Sequence, residues 1–154
     1  GHGLGKSALF LSSGYIHQAV GSSRVAAVRG LARRAPLVAG AFALGLLALL
    51  GMPPFSLFAS EVGIVRAAFD GGLGWAVAVA LALMLVIVAA VLGRARQMLL
   101  GPPAGEGDQA AVRLPAGAAV PIVAGLAVCA VLGVAAGPLV TLLESAAELT
   151  GAVR

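Results

Sequence analysis

The chain has 154 residues, 60% of them hydrophobic and only 10% charged, and a formal net charge of +4. A water-soluble domain carries about a quarter charged residues, so this balance excludes one and points to an all-α bundle of transmembrane helices. The basic residues stand in short clusters without the interleaved aromatics of a nucleic-acid face, so no nucleic-acid partner is expected, and the lone Cys129 excludes disulfides and a cysteine metal site.

The first apolar run, residues 1–20, has polar insertions at His2, Lys6, Ser12, Ser13, Tyr15 and His17. Residues 21–34 carry Arg24, Arg29, Arg33 and Arg34 and read as a basic loop. The second run, 35–69, is cut at Pro53-Pro54. Proline has no N–H to donate and its ring clashes with the preceding turn, so the helix is expected to break there. In lipid such a break is tolerated where protein encloses it or where it lines a water-filled path. Asp70-Gly71-Gly72 is a turn. Residues 73–93 carry no charge, and at ~1.5 Å per residue they make ~31 Å, the thickness of a bilayer core. Arg94 and Arg96 follow, then a Pro/Gly-rich linker over 101–117. The last apolar run, 118–143, is closed by Glu144 and Glu148.

The arginines predict the topology. Basic loops stay on the cytoplasmic side, which assigns 21–34 and 94–117 there. Both can lie on one side only if the broken run is a single discontinuous crossing and 73–93 is the return. Each half of the broken run is also short for a full span. The expectation is four crossings of one transmembrane domain, spanning 1–20, 35–69, 73–93 and 118–143, with residue 1 and the C-terminus outside. The chain opens on Gly1 with no signal peptide, and is expected to be the C-terminal part of a longer protein.

An ionisable group inside a membrane span marks function by default. Glu61, eight residues beyond Pro53, reads as a proton-binding carboxylate beside the break, or as a polar cap at a helix end. Lys6 lies one turn after His2 on the same helical face. The two read as a proton-relay pair, or Lys6 extends its stem to the headgroups. Tyr15 and His17 suit the interface, and Arg66, five residues after Glu61, is out of register for a same-face pair. Gly3-Leu4-Gly5-Lys6-Ser7 imitates the end of a phosphate-binding loop, but no buried strand precedes it. Gly133 and Gly137 form a small-xxx-small pair suited to helix packing, from which no partner is drawn, and Cys129 reads as a small apolar filler. No catalytic residue, metal site or cofactor is expected in this chain.

His2-Gly3-Leu4-Gly5-Lys6-Ser7-Ala8-Leu9-Phe10 resembles the H-x-x-x-K-x-x-L-F segment of the antiporter-like membrane subunits of respiratory complex I and its relatives. Gly51-Met52-Pro53-Pro54-Phe55, followed by Ser60-Glu61, is similar to that family's G-x-P-P-x segment in a discontinuous helix. The Glu at position 61, where many relatives have Lys, resembles the hydrogenase-4 component F and formate hydrogenlyase branch. The resemblance implies the last four crossings of a proton-translocating membrane subunit, driven by a redox reaction in a peripheral arm. Its partners would be that arm, further membrane subunits and the lipid bilayer of the cell (inner) membrane. It further implies that Lys6, Glu61 and His2 belong to a chain of polar groups along the membrane centre. The alternatives are a multi-subunit sodium (cation)/proton antiporter subunit and a non-conducting structural subunit. The upstream half of the family, with its second broken helix, is absent, so this chain alone is not expected to pump.

Overall fold

Glycine and proline set the helix limits. Gly30, at φ 67°, turns the chain into the short α2 (Leu31–Arg34), and Pro36 opens α3 (Pro36–Leu49) at a position where its missing N–H costs nothing. Gly51, at φ 67°, ends that helix, and α4 (Ser56–Asp70) begins beyond the two prolines. Gly72, at φ 76°, makes the turn into α5 (Gly74–Leu100). Before these comes α1 (His2–Val20), and after them α6 (Ala116–Val134). Pro121 lies inside α6 without ending it, as membrane helices tolerate. This computed structural model describes residues 1–20, 28–102 and 115–135, with positions 137, 141 and 145. Arg24, most of the linker, and Glu144, Glu148 and the C-terminus lie outside the described residues.

α3 runs through the middle, packed on α1 and α6, while α4 packs on α6 and α5. On α1 the buried residues Gly5, Ala8, Ser12 and Ile16 recur every three or four positions, the spacing of one helical face. The first three are small, and Gly45 of α3 adds to the close approach of the two helices: a Cβ there would come within 3.0 Å of Leu9 Cγ. Three buried clusters succeed one another along the bundle. Ile16, Val28, Leu31, Ala35, Val38 and Ala39 close one end, with Met98 and Leu99 of α5 packed against them. Ala8, Ala41, Ile122 and Leu126 fill the middle. Ala48, Phe55 and Cys129 form the third, at the helix break.

The first cluster orients the bundle. It joins the start of α3 to the end of α5, so Arg29, Arg33 and Arg34 gather with Arg94 and Arg96 at one end. α3 and α4 thus make one interrupted crossing and α5 is the return. α5 turns almost all of its apolar surface outward, burying only Val77, Val88 and Ala95, with Leu83, Leu85 and Val86 each more than 60% exposed. A helix apolar all round and this little buried is built for lipid or for other helices. α5 and Gly117–Val134 are long and apolar enough to cross a membrane, and α3 is a shorter apolar helix. The molecule is a polytopic bundle of transmembrane helices, one of them discontinuous.

Ser12 is fully buried and donates from Oγ to the Ala8 carbonyl at 2.7 Å. That carbonyl keeps its own helical partner, so the hydroxyl satisfies only itself. Ser12→Ala is expected to change the thermal midpoint of the solubilised protein little, by less than ~1 kcal/mol equivalent.

Candidate functional site at the helix break

The break is a compact, largely self-satisfied structure. Leu50 N–H donates to the Leu46 carbonyl at 2.9 Å and Met52 N–H to the Leu47 carbonyl at 3.0 Å, closing the end of α3 across Gly51. This six-to-one bond over a left-handed residue is the Schellman stop, and glycine alone takes that conformation without a Cβ penalty. Pro53 and Pro54 follow, joined by a cis peptide, and neither has an N–H needing a partner. Phe55 N–H then donates to Met52 O and Phe58 N–H to Phe55 O, both at 3.1 Å, which starts α4. The Phe55 ring is buried with Ala48 and Cys129 and anchors the break to α3 and α6.

Glu61, one and a half turns into α4, folds back on this stop. Both of its carboxylate oxygens lie where a Cβ on Gly51 would stand. Gly51 therefore serves twice: it takes the positive φ and it leaves the space that the carboxylate occupies. The side chain is partly exposed, and it makes no hydrogen bond or ion pair among the described residues. A carboxylate lodged against the peptide groups of a broken membrane helix can hold and release a proton without leaving the protein.

Two neighbouring helices close on the break. Gly133 of α6 lies so near that a Cβ there would strike the Pro54 carbonyl oxygen and come within 2.5 Å of Phe55 C and 2.7 Å of Ser56 N. Cys129, one turn earlier, is buried with its Sγ 3.7 Å from Ser56 Oγ and 3.6 Å from the Gly1 carbonyl oxygen. Ser56 Oγ in turn fills the space that a Cβ on Gly1 would need. The start of α1, the start of α4 and the C-terminal turns of α6 thus converge on one point. An apolar groove of about 410 Å³ runs beside it, lined by Leu44, Leu47, Pro53, Pro54 and Val123 among others.

His2 and Lys6 are exposed on α1, away from its buried stripe, and share their side of the helix with Ser13 and His17. Among the described residues no hydrogen bond or ion pair joins His2 or Lys6 to Glu61. The residues sequence reasoning passed over are Gly51, read only as part of a motif, and Gly133, read as half of a pair without a partner. The positive φ that a glycine before Pro-Pro supplies was the available signal for the first. Nothing local signals the second, because its contact is with a segment about 80 positions earlier. No cluster of His, Cys, Asp or Glu able to hold a metal occurs among the described residues.

Residues 1–90 match the model of a family described as NADH:quinone oxidoreductase/Mrp antiporter, transmembrane. The chain is 32% identical over 107 residues to the hydrogenase-4 component F homolog of Methylacidiphilum infernorum, covering 70% of this chain and 22% of the relative. It is 40% identical over 117 residues to NADH-quinone oxidoreductase subunit N of Acidothermus cellulolyticus, covering 76% of this chain and 22% of the relative. It is 31% identical over 158 residues to formate hydrogenlyase subunit 3 of Escherichia coli, covering 96% of this chain and 26% of the relative. The chain thus spans about a quarter of the length of these relatives. Among solved structures, the Mrp complex from Dietzia sp. DQ12-45-1b contains a similar chain, with a TM-score of 0.73 and 26% identity, covering 88% of this chain and 33% of that one.

Proposed function

We propose that this chain, which belongs to the NADH:quinone oxidoreductase/Mrp antiporter transmembrane family, forms part of a proton-translocating membrane subunit in which Glu61 takes up and releases protons at the helix break. The observation that carries the reading is the seat of the Glu61 carboxylate, folded onto Gly51 inside a discontinuous crossing. Lys6 and His2 are further polar groups on the same path. The driving reaction belongs to other subunits of a hydrogenase-4, formate hydrogenlyase or complex I-type assembly, with its redox cofactors in a peripheral arm. The arginine-rich end of the bundle faces the cytoplasm, and the C-terminus lies outside.

The test uses the full-length subunit in its assembled complex, in sealed vesicles, with Glu61→Gln against wild type. Assembly on a native gel should be unchanged, while donor-driven proton uptake falls to the passive leak of the vesicles. An unchanged ratio of protons taken up to donor oxidised would make the break a packing feature and end the proposal. The likeness to a chain of the Mrp complex favours a second reading, cation/proton antiport. Under that reading the Glu61-dependent proton flux requires sodium or potassium on the opposite side of the membrane.

A further inference from the structure

Away from the break, α3 and α5 enclose a second groove of about 380 Å³, lined by Phe42 and Leu46 on one side and Ala90, Val91, Ala95 and Met98 on the other, with Arg94 as its one charged residue. Its size falls in the ~300–1,000 Å³ range of small-molecule sites. Its apolar floor runs toward Leu46 and Ala90, deeper in the bundle, while Arg94 and Met98 stand toward the arginine-rich end. The chemistry is therefore split along the groove: hydrocarbon inward, one permanent positive charge outward.

The end of the groove is basic well beyond Arg94. Arg29 lies against the end of α5, its Cγ 3.7 Å from where a Cβ on Gly101 would stand, and Arg33 is exposed on α2, which packs on the same helix. Among the described residues the only carboxylates are Glu61 and Asp70, at the break and at the end of α4 next to the α4–α5 turn. Neither is at this end. Glu106 and Asp108 of the following segment lie outside the described residues.

We infer that the α3–α5 groove binds one anionic phospholipid, an acyl chain along Phe42, Leu46, Ala90 and Val91 and the phosphate headgroup on Arg94. Charge complementarity selects this occupant. An apolar helix of a partner would fill the floor but leave Arg94 facing it, whereas a phospholipid satisfies both halves of the groove at once. A guanidinium presents a fork of N–H donors that matches a phosphate in a bidentate manner, and basic pockets between membrane helices bind lipid headgroups by the same chemistry.

The experiment uses the full-length subunit in its assembled complex, reconstituted in nanodiscs of mixed phosphatidylglycerol and phosphatidylcholine. One lipid at a time carries a photoreactive diazirine on its acyl chain, and labelled peptides are found by mass spectrometry. The peptides holding Phe42–Leu46 and Ala90–Met98 should be labelled about fivefold more by phosphatidylglycerol, the factor expected for one arginine near the headgroups. Arg94→Gln should bring the two lipids level, Arg94→Lys should keep most of the preference, and Arg96→Gln, outside the groove, should leave it intact. If Arg94→Gln does not assemble, Ala90→Leu fills the groove without touching the charge, and labelling by both lipids should fall together. Three results would overturn the inference. They are equal loss in Arg94→Gln and Arg96→Gln, which means surface attraction only; equal labelling by the two lipids in wild type; and no labelling at all, which means that protein fills the groove.

Discussion

Gly51→Ala is expected to lower the thermal midpoint of the assembled complex sharply and to reduce the amount that assembles. The loss has two separable parts. An L-residue at φ 67° carries a left-handed penalty of ~1–2 kcal/mol. The new methyl also takes the space now held by the Glu61 carboxylate, which must swing out of the break. Adding Glu61→Ala to Gly51→Ala removes the second part and leaves the first. Thermal midpoints of the two single variants and the double variant should therefore be non-additive by the equivalent of ~1 kcal/mol, as for side chains in contact. Strict additivity would mean that the carboxylate does not rest on Gly51 in the assembled protein.

Gly133→Ala is expected to be as damaging, for a different reason. Its φ is ordinary, and alanine is the better helix former by ~1 kcal/mol. The obstacle is that the methyl meets backbone atoms of Pro54, Phe55 and Ser56, which cannot rotate away as a side chain would. α6 must back off the break, at the ~1–3 kcal/mol typical of overpacking, and Cys129 and Ser56 separate. Gly137→Ala is the matched control: none of the described residues stands within 4 Å of a Cβ there. Native-gel yield and thermal midpoint should drop for Gly133→Ala and stay level for Gly137→Ala. Equal behaviour of the two would show that α6 does not touch the break.

What could be read in advance follows from the range of the forces involved. The discontinuous crossing was legible because its cause is local: two prolines without N–H groups stop a helix whatever surrounds it. α3 ends at Leu49 and α4 begins at Ser56, on either side of Pro53-Pro54. The gathering of the arginine clusters at one end was legible too, since charge stays out of hydrocarbon and needs no packing detail to be predicted. The seat of Glu61 was not. Eight residues past Pro53 names a distance along the chain, but the side chain folds back toward a residue before the prolines, and that depends on the shape of the turn between. Gly133 was equally hidden among 22 glycines, because its significance rests on which helix it faces. Composition places the chain in the membrane, and close approaches between distant segments decide which of its small residues matter.

The position of the carboxylate along α3 has an electrical consequence. α3 is 14 residues long, ~21 Å at ~1.5 Å per residue, so with Pro36 set at the edge of a ~30 Å core, Gly51 and the group resting on it lie about two thirds of the way across, counted from the arginine end. A full elementary charge crossing the membrane exchanges ~2.3 kcal/mol per 100 mV with the transmembrane potential. In the proposed function, a proton reaching Glu61 from the arginine end traverses most of that field, roughly 1.5 kcal/mol per 100 mV, and one arriving from the other face traverses the remainder. Under the proposed function, the occupancy of this one carboxylate is tied to membrane voltage as well as to pH, and access from the two faces is unequal in energy.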